Sequence, residues 1–262
     1  MGSATTQALA ASTDALNAAS GITLEGAAEL FAAARAAGES GQLSGALADP
    51  AAPAAARVAL VNAVFGGASA PVKTVLTAVV GERWSNPSEL VDGIEELAIR
   101  AAAIASPSDD VAGELFSFSR VVAANPELEL ALGSRLGDAD AKGALVEKVL
   151  GSGAAPATVL IASSLVRQPR ERRVRQLLNR AIKLVTAQGG RTVATVHSAS
   201  PLSAAQQIRL RDALSRRYGG EVSLNTVIDP TVVGGLRVQI ADDVIDGSIS
   251  ARLADLRQKL AS

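Results

Sequence analysis

The sequence contains no cysteine, which excludes disulfides, thiolate catalysis and cysteine-ligated metal sites. Only 2% of its residues are aromatic, so its core must consist of Ala, Val, Leu and Ile. This composition favours closely packed helices because alanine has the highest intrinsic helix propensity. No apolar run reaches the roughly 18 residues that a transmembrane helix needs. The first residues also lack the basic and apolar stretches of a secretory signal. We therefore expect a protein on the cytoplasmic side, without a membrane span.

Groups that carry chemistry are also scarce. His197 is the only histidine, so imidazoles alone cannot form a metal site. A hydrolase using His197 with Ser198 or Ser200 remains a hypothesis, although the sequence has no GxSxG nucleophile motif. We predict no catalytic residue, no cofactor and no metal, because no adjacent carboxylate pair has further ligands at metal spacing; these pairs are at 95–96, 109–110 and 242–243.

The net charge of −1 conceals a difference between the two parts of the chain. Residues 1–165 contain 9 Lys+Arg and 18 Asp+Glu, a balance of −9, whereas residues 166–262 contain 16 and 8, a balance of +8. Such asymmetry indicates either two parts that meet different partners or two parts that attract each other. Both interpretations stay open at this stage.

The first two thirds of the chain contain an internal repeat with an offset of 85 positions. Between residues 29 and 71, 16 of 43 positions are identical to the residue 85 places later. Ordered matches such as Glu29-Leu30-Phe31 with Glu114-Leu115-Phe116 are not explained by alanine-rich composition. Each repeat shows several short helical patterns separated by glycine and proline, and Thr23 and Asp109 are the predicted N-caps of two of them. We predict two helical repeat units, 1–86 and 87–167.

A basic segment follows the repeats and is predicted to form a helix from Gln168 to Gly190. Its arginines suggest nucleic-acid binding through phosphates, but they are not interleaved with aromatic residues. Contact with an acidic protein partner and a solvated helix face are the other interpretations. The candidate partner contacts are Arg170, Arg172, Arg173 and Arg175.

The remaining residues predict a small α+β module, which with the basic helix makes a third region, 168–262. Period-2 apolar patterns indicate strands at 192–198, 221–228 and 235–241, and helices are predicted at 203–218 and 248–260. Ser203 and Gln206 form a capping box for the first of these helices. The predicted fold class is mainly α, with tandem helical-bundle units followed by this module.

The run from Asp229 to Ser248 resembles a phosphate-binding loop at first sight because it contains two adjacent glycines. A Walker-type loop requires GxxxxGK[ST] before a helix, but here no lysine follows the glycines and a strand comes next. The proline in the run ends a strand because it has no N–H to donate. We therefore interpret the motif as structural; its residues are Asp229, Pro230, Gly234, Gly235, Asp246, Gly247 and Ser248.

These residues also carry a family resemblance. The order 200-SPLS-203, 229-DP-230, 234-GGL-236 and 244-VIDGS-248 resembles the C-terminal region of the delta subunit family of F-type ATP synthases. The mitochondrial counterpart is the oligomycin sensitivity-conferring protein. The resemblance extends back through 125-NPEL-128 and covers about 88–262. The chain departs from the family's single six-helix bundle by an additional unit of about 85 residues, which the repeat explains.

The resemblance implies a non-catalytic peripheral-stalk, or stator, subunit on the cytoplasmic face of the cell membrane. In this family the helical bundle binds N-terminal helices of alpha subunits and the C-terminal part binds the b subunits. This link resists rotor torque during proton-driven ATP synthesis. By the resemblance, the groove for alpha involves helices near 4–19 and 70–83, or near 88–105 and 155–167. Which unit binds alpha stays open, and a nucleic-acid-binding regulator using residues 167–175 is the alternative function.

Overall fold

The computed structural model describes residues 2–134, 137–170, 172–218, 221–240 and 243–249. The chain is divided into two compact units, Met1–Val185 and Thr186–Ser262. The first unit is helical, and the second contains the only sheet in the described residues. The predicted fold class, helical bundles followed by a small α+β module, is confirmed.

Eleven α-helices occur in the described residues before the sheet. They are α1 (Ser3–Ala18), α2 (Leu24–Glu39), α3 (Gly41–Ala48), α4 (Ala54–Val64), α5 (Ala70–Gly81), α6 (Pro87–Ala105), α7 (Val111–Ala124), α8 (Pro126–Gly133), α9 (Ala139–Leu150), α10 (Pro156–Arg167) and α11 (Val174–Gln188). A short 3₁₀ turn, Gly151–Gly153, lies between α9 and α10. Within the described ranges, no helix is both long and apolar enough to cross a membrane.

Helix starts follow the polar residues that precede them. The Thr23 hydroxyl accepts a hydrogen bond from the Gly26 N–H at 3.2 Å and so caps α2, as the sequence predicts. The cap of α7 is Asp110, whose carboxylate accepts from the Gly113 N–H at 3.1 Å, and not Asp109. A cap bonds the N–H three residues on, so a shift of one residue decides which carboxylate reaches it.

The repeat of 85 residues is visible in the order of the helices. Shifting α3 by 85 positions gives the bounds of α8, and the same shift places α2, α4 and α5 on α7, α9 and α10 within two residues. It also places α1 inside α6, and α6 over α11. The helix α6 therefore occupies the sixth position of the first repeat and the first position of the second.

The shared helix α6 packs on both repeats. It contacts α1, α2, α3 and α5, which precede it in the sequence, and α10, which follows it. After Ser88 none of its residues is exposed. Gly93 allows one of these close approaches, because a Cβ there would lie 2.2 Å from the Trp84 ring. The division of the helical part at residues 86 and 87 stays a prediction, since both repeats lie in one compact unit.

One glutamate in each repeat caps a later helix. Glu29 on α2 accepts hydrogen bonds from the Ser69 N–H at 2.9 Å and hydroxyl at 2.8 Å, at the start of α5. Glu114, its equivalent on α7, accepts from the Ala155 N–H at 2.9 Å and from the Thr158 hydroxyl, at the start of α10. A carboxylate there satisfies N–H groups that have no partner within the helix.

The connection between α10 and α11 differs from the prediction of a helix from Gln168 to Gly190. Helix α10 ends at Arg167 and α11 begins at Val174, so Arg170, Arg172 and Arg173 precede the helix. Pro169 explains the interruption, because proline lacks an N–H and disfavours helical backbone in the residue before it. The boundary between the two compact units lies within α11, after Val185, and the turns of α11 before it bury apolar residues. The division at 168 stays a prediction.

The second unit contains four strands and one helix within the described residues: β1 (Arg191–Ser198), α12 (Ala204–Tyr218), β2 (Glu221–Ile228), β3 (Leu236–Ile240) and β4 (Asp243–Asp246). The strand order is β2-β1-β3-β4, with β1 parallel to β2 and the other two pairs antiparallel. The capping box of α12 is confirmed, with the Gln206 N–H donating to Ser203 Oγ at 3.3 Å and the Ser203 N–H donating to Gln206 Oε1 at 2.9 Å.

The core of the second unit lies between α12 and one face of the sheet. It contains Ala194, Val196, Leu214, Val222, Val238 and Ile240. Strand β4 is not among the predicted strands; its pairing with β3 supplies the hydrogen bonds that the local sequence does not indicate. The predicted helix 248–260 lies almost wholly outside the described residues.

The repeated cap provides a test of the fold. Substitution Glu29→Ala removes the acceptor of the Ser69 N–H directly before α5, and we expect the free energy of unfolding to fall by about 1 kcal/mol. Urea unfolding followed by circular dichroism measures this change. Glu39→Ala, at the exposed C-terminal end of the same helix, is the control and should not destabilise the protein. An equal free energy of unfolding in both variants would contradict the capping role of Glu29.

Candidate functional site

A cluster of charges lies on α6, where two adjacent glutamates are buried. Glu95 is 5% exposed and Glu96 is 4% exposed. Such carboxylates require compensation, because removing an ionised group from water costs several kcal/mol. The compensation comes from arginines that follow α10 in the sequence. Two of the candidate partner contacts, Arg170 and Arg172, therefore lie against α6 of the same chain.

Glu95 is the centre of this cluster. Arg172 binds it through two parallel hydrogen bonds of 2.7 Å each. Arg170 lies 3.4 Å and Arg180 3.6 Å from its oxygens. Planar guanidinium groups suit this arrangement because they match a carboxylate with two donors. Burial lowers the pKa of Arg172, but hydrogen bonding and the charge of Glu95 raise it, and the net pKa lies above its usual value.

Glu96 and Asp92 complete the cluster on the same helix. Arg100 donates to one oxygen of Glu96 at 2.8 Å, and Arg180 donates to the other at 3.0 Å. Arg170 also donates to the carboxylate of Asp92. Among the described residues, the carboxylates of Asp92, Glu95 and Glu96 are thus bound by the guanidinium groups of Arg100, Arg170, Arg172 and Arg180.

The four predicted contact arginines do not share one environment. Arg170 and Arg172 are half-buried in the α6 cluster. Arg173 is exposed, and Arg175 is 47% exposed in an ion pair of 3.0 Å with Glu129. The sequence did not indicate the pairing with α6, since 75 or more residues separate the partners. The adjacent pair Glu95-Glu96 was the available signal, because buried carboxylates require cations.

The charge difference along the chain is therefore largely internal. With the structural boundary, residues 1–185 contain 16 Lys+Arg and 19 Asp+Glu, a balance of −3. Residues 186–262 contain 9 and 7, a balance of +2. The basic residues between 166 and 185 account for the change, and several of them bind α6. The interpretation that acidic and basic parts attract each other is favoured.

Two helix pairs occupy equivalent positions in the repeats, α1 with α5 and α6 with α10. Both pairs are in contact. Seven residues of α1 and three of α5 are exposed, whereas α10 has only its first residue, Pro156, exposed and α6 has none after Ser88. Equivalent positions show the difference: Leu9 is half-buried and Ile94 buried, and Ala78 is half-buried and Ser163 buried. Only the first pair presents an open face within the described residues.

The motif between β2 and β4 consists of interlocking turns. The Thr231 N–H donates to the Asp229 carboxylate at 3.0 Å, directly beside Pro230. Gly234 and Gly235 have φ of 63° and 81°. A Cβ on Gly235 would lie 2.3 Å from the carbonyl oxygen of Gly247. The glycines therefore permit left-handed backbone and a close approach of two chain segments.

The far end of the motif closes on the near end. The Gly247 N–H donates to the Leu236 carbonyl at 2.8 Å, and the Ser248 N–H donates to the Asp246 carboxylate at 2.9 Å. The Ile249 N–H donates to the Gly234 carbonyl at 3.1 Å. The N–H groups of Gly247, Ser248 and Ile249 thus donate within the motif and are not directed toward a ligand, as those of a phosphate loop would be.

His197 lies on β1 with its Nδ1 3.5 Å from the Asp229 carboxylate. The adjacent Ser198 points to the opposite face of the sheet, because successive strand residues alternate. Its hydroxyl donates to the Ser200 carbonyl at 2.7 Å. His197 and Asp229 are thus brought together without Ser198. In the described part of the chain, no three His, Cys, Asp or Glu residues form a possible metal site.

Comparisons with known proteins place this architecture. The family model for the ATP synthase delta (OSCP) subunit matches residues 97–260. The chain is 49% identical over 263 residues to the ATP synthase subunit delta of Leifsonia xyli subsp. xyli, covering 100% of both chains. It is 42% identical over 221 residues to that of Streptomyces avermitilis, covering 82% of this chain and 81% of the relative.

A third relative, the ATP synthase subunit delta of Acidothermus cellulolyticus, is 39% identical over 241 residues and covers 89% of this chain and 87% of its own. The class of protein is thus a non-catalytic subunit of the membrane-associated F-type ATP synthase. The chain belongs to the ATP synthase delta (OSCP) subunit family. The family model begins inside α6, so the first five helices precede it.

The turn motif predicts an effect of pH. The Ser248 hydroxyl, and then its N–H, donate to Asp246 and lower the pKa of this carboxyl below its usual 3.8. A depressed pKa contributes stability that is present above the unfolded value and lost as the pH falls through the folded value. Asp246→Asn keeps an oxygen acceptor but does not titrate. We expect the difference in urea midpoint between wild type and variant to shrink from pH 5 to pH 2.5.

The midpoint is best followed by amide NMR signals of β3 and β4, which report on the second unit alone. Asp212→Asn, on α12, is a control for the loss of a carboxylate in the same unit. A constant difference between wild type and Asp246→Asn across this pH range would show that Asp246 does not stabilise the turn.

Proposed function

We propose that this chain links the catalytic head of the ATP synthase to its b subunits on the cytoplasmic face of the membrane. In this role it resists the rotor torque during proton-driven ATP synthesis. Membership of the delta subunit family, over the full length of one relative, is the observation that carries the proposal. The division into a helical unit and an α+β unit supports it, because a link requires two binding surfaces.

The proposed contact with the head is the open face of α1 and α5. Alpha-subunit N-termini would bind there as amphipathic helices, with apolar residues placed in a groove between two helices. The equivalent pair in the second repeat, α6 and α10, is covered by other helices of this chain. We therefore assign alpha binding to the first repeat.

The proposed contact with b lies on the second unit. A half-open cleft of about 540 Å³ is bordered there by Leu202, Leu210 and the Gly234–Leu236 segment. Its lining is partly apolar, which suits the end of a helix. Two of the predicted contact arginines, Arg173 and Arg175, are accessible in the helical unit and remain proposed partner contacts.

Peptide binding tests the head contact. A peptide with the sequence of the N-terminal helix of the same organism's alpha subunit should protect amides of α1 and α5 from hydrogen exchange, but not those of α6 and α10. Leu9→Glu places a charge on the half-buried apolar position of α1 and should weaken binding about tenfold. Isothermal calorimetry measures the affinity.

Gln42→Glu, at an exposed position on α3 outside the proposed contact, is the matched control and should bind the peptide as the wild type does. Protection confined to helices of the second repeat would refute the assignment to the first repeat. The link itself requires that purification from native membranes through a tag on this chain recovers alpha and b together. Recovery of neither subunit would refute the proposed function.

A further inference from the structure

We propose that the N-terminal repeat is a brace for the segment that joins α10 to α11. This segment, residues 168–170 and 172–173, is called the strap below. The brace consists of the end of α2 and the carboxylates of α6. It holds the strap in place and so fixes where α11 begins.

The first contact of the strap is with α2. The side-chain amide of Gln168 donates to the carbonyl oxygen of Arg35 at 3.3 Å. The approach is close, since a Cβ on Gly38 would lie 2.8 Å from Gln168 Nε2. The amide thus contacts the backbone of α2 near the C-terminal end of this helix.

The second contact is with α6. Arg170 binds Asp92, and Arg172 binds Glu95 through two hydrogen bonds. Arg172 also donates from Nε to the Pro169 carbonyl at 3.1 Å, which ties the strap to itself. The carboxylates of α6 thus hold the strap at two positions, Arg170 and Arg172.

The backbone of the strap also indicates external support. Arg170 has a φ of 44°, and it is the only non-glycine residue with positive φ in the described ranges. Left-handed backbone is unfavourable for an arginine, and such a conformation persists where surrounding contacts determine it. The contacts of its side chain with Asp92 and Glu95 supply this support.

All brace residues lie outside the part of the chain that the family model matches. The model begins at residue 97, whereas Arg35, Gly38, Asp92, Glu95 and Glu96 precede it. The strap itself lies within the matched region. Arg35 and Gly38 belong to the first repeat, whereas the carboxylates of Asp92, Glu95 and Glu96 lie on α6, the helix that both repeats share.

The balance of charges predicts an asymmetry. Glu95 contacts three arginines, Arg170, Arg172 and Arg180. Removing its charge takes this buried partner from all three arginines, whereas removing Arg172 leaves Glu95 with the other two. The loss of Glu95 should therefore disturb the strap more than the loss of Arg172.

The first test perturbs the brace without changing the strap. In Gly38→Ala, the new methyl group displaces the Gln168 side chain, and its hydrogen bond to Arg35 is lost. Alanine is favoured over glycine within a helix, so global stability should not fall. Amide hydrogen exchange of residues 168–176 in the full chain should become about fivefold faster. Gly45→Ala is the matched control, since nothing lies within 4 Å of its Cβ position.

The second test uses the charges. Glu95→Gln should accelerate exchange at the start of α11 by more than about tenfold. The double variant Glu95→Gln with Arg172→Gln should be closer to wild type than the single variant, because it restores the charge balance. Glu129→Gln breaks the exposed pair with Arg175 and should change exchange less than about twofold. Unchanged exchange in both Gly38→Ala and Glu95→Gln would overturn the brace.

A consequence for coupling rests on the proposed function. In inverted membrane vesicles, ATP synthases with Gly38→Ala should hydrolyse ATP normally but lose part of their proton-driven ATP synthesis, and those with Gly45→Ala should not. Faster strap exchange with undiminished synthesis would overturn this consequence alone. Failure of the chain to copurify with alpha and b would instead overturn the proposed function and leave the exchange results standing.

Discussion

The helical unit depends on one physical constraint, the burial of α6. This helix is shared by two overlapping repeats, so it has no face left for solvent after its first residues. Apolar residues can be buried there without cost, but the carboxylates of Glu95 and Glu96 can be buried only when cations bind them. Arginines that follow α10 in the sequence bind these carboxylates, and their contacts hold the start of α11 against α6. The charged cluster thus links the packing of both repeats.

The sharing of α6 also explains why two similar repeats are not equivalent. Its first-repeat counterpart, α1, has neighbours on one side and exposes seven residues. In the second repeat the same position is enclosed by the first repeat. Duplication therefore produced one open helix pair and one closed pair, which is the structural basis for assigning a partner to α1 and α5.

Much of the fold could be predicted from local sequence. The offset of 85 residues predicted which helices correspond, and Thr23 and Ser203 marked helix starts because capping depends on groups three residues apart. Two local errors have local causes as well. Pro169 interrupts the predicted basic helix, and β4 owes its strand conformation to pairing with β3, which its four residues do not indicate alone.

The sequence by itself determined the family and the fold class, since motif order and helix period are properties of the chain. Only the tertiary structure decided what the arginines bind. Arg172 and Glu95 are 77 residues apart, and their pairing arises from the position of α6 between the repeats. Charge in a sequence gives no partner, because the energy of a charge depends on distance and burial.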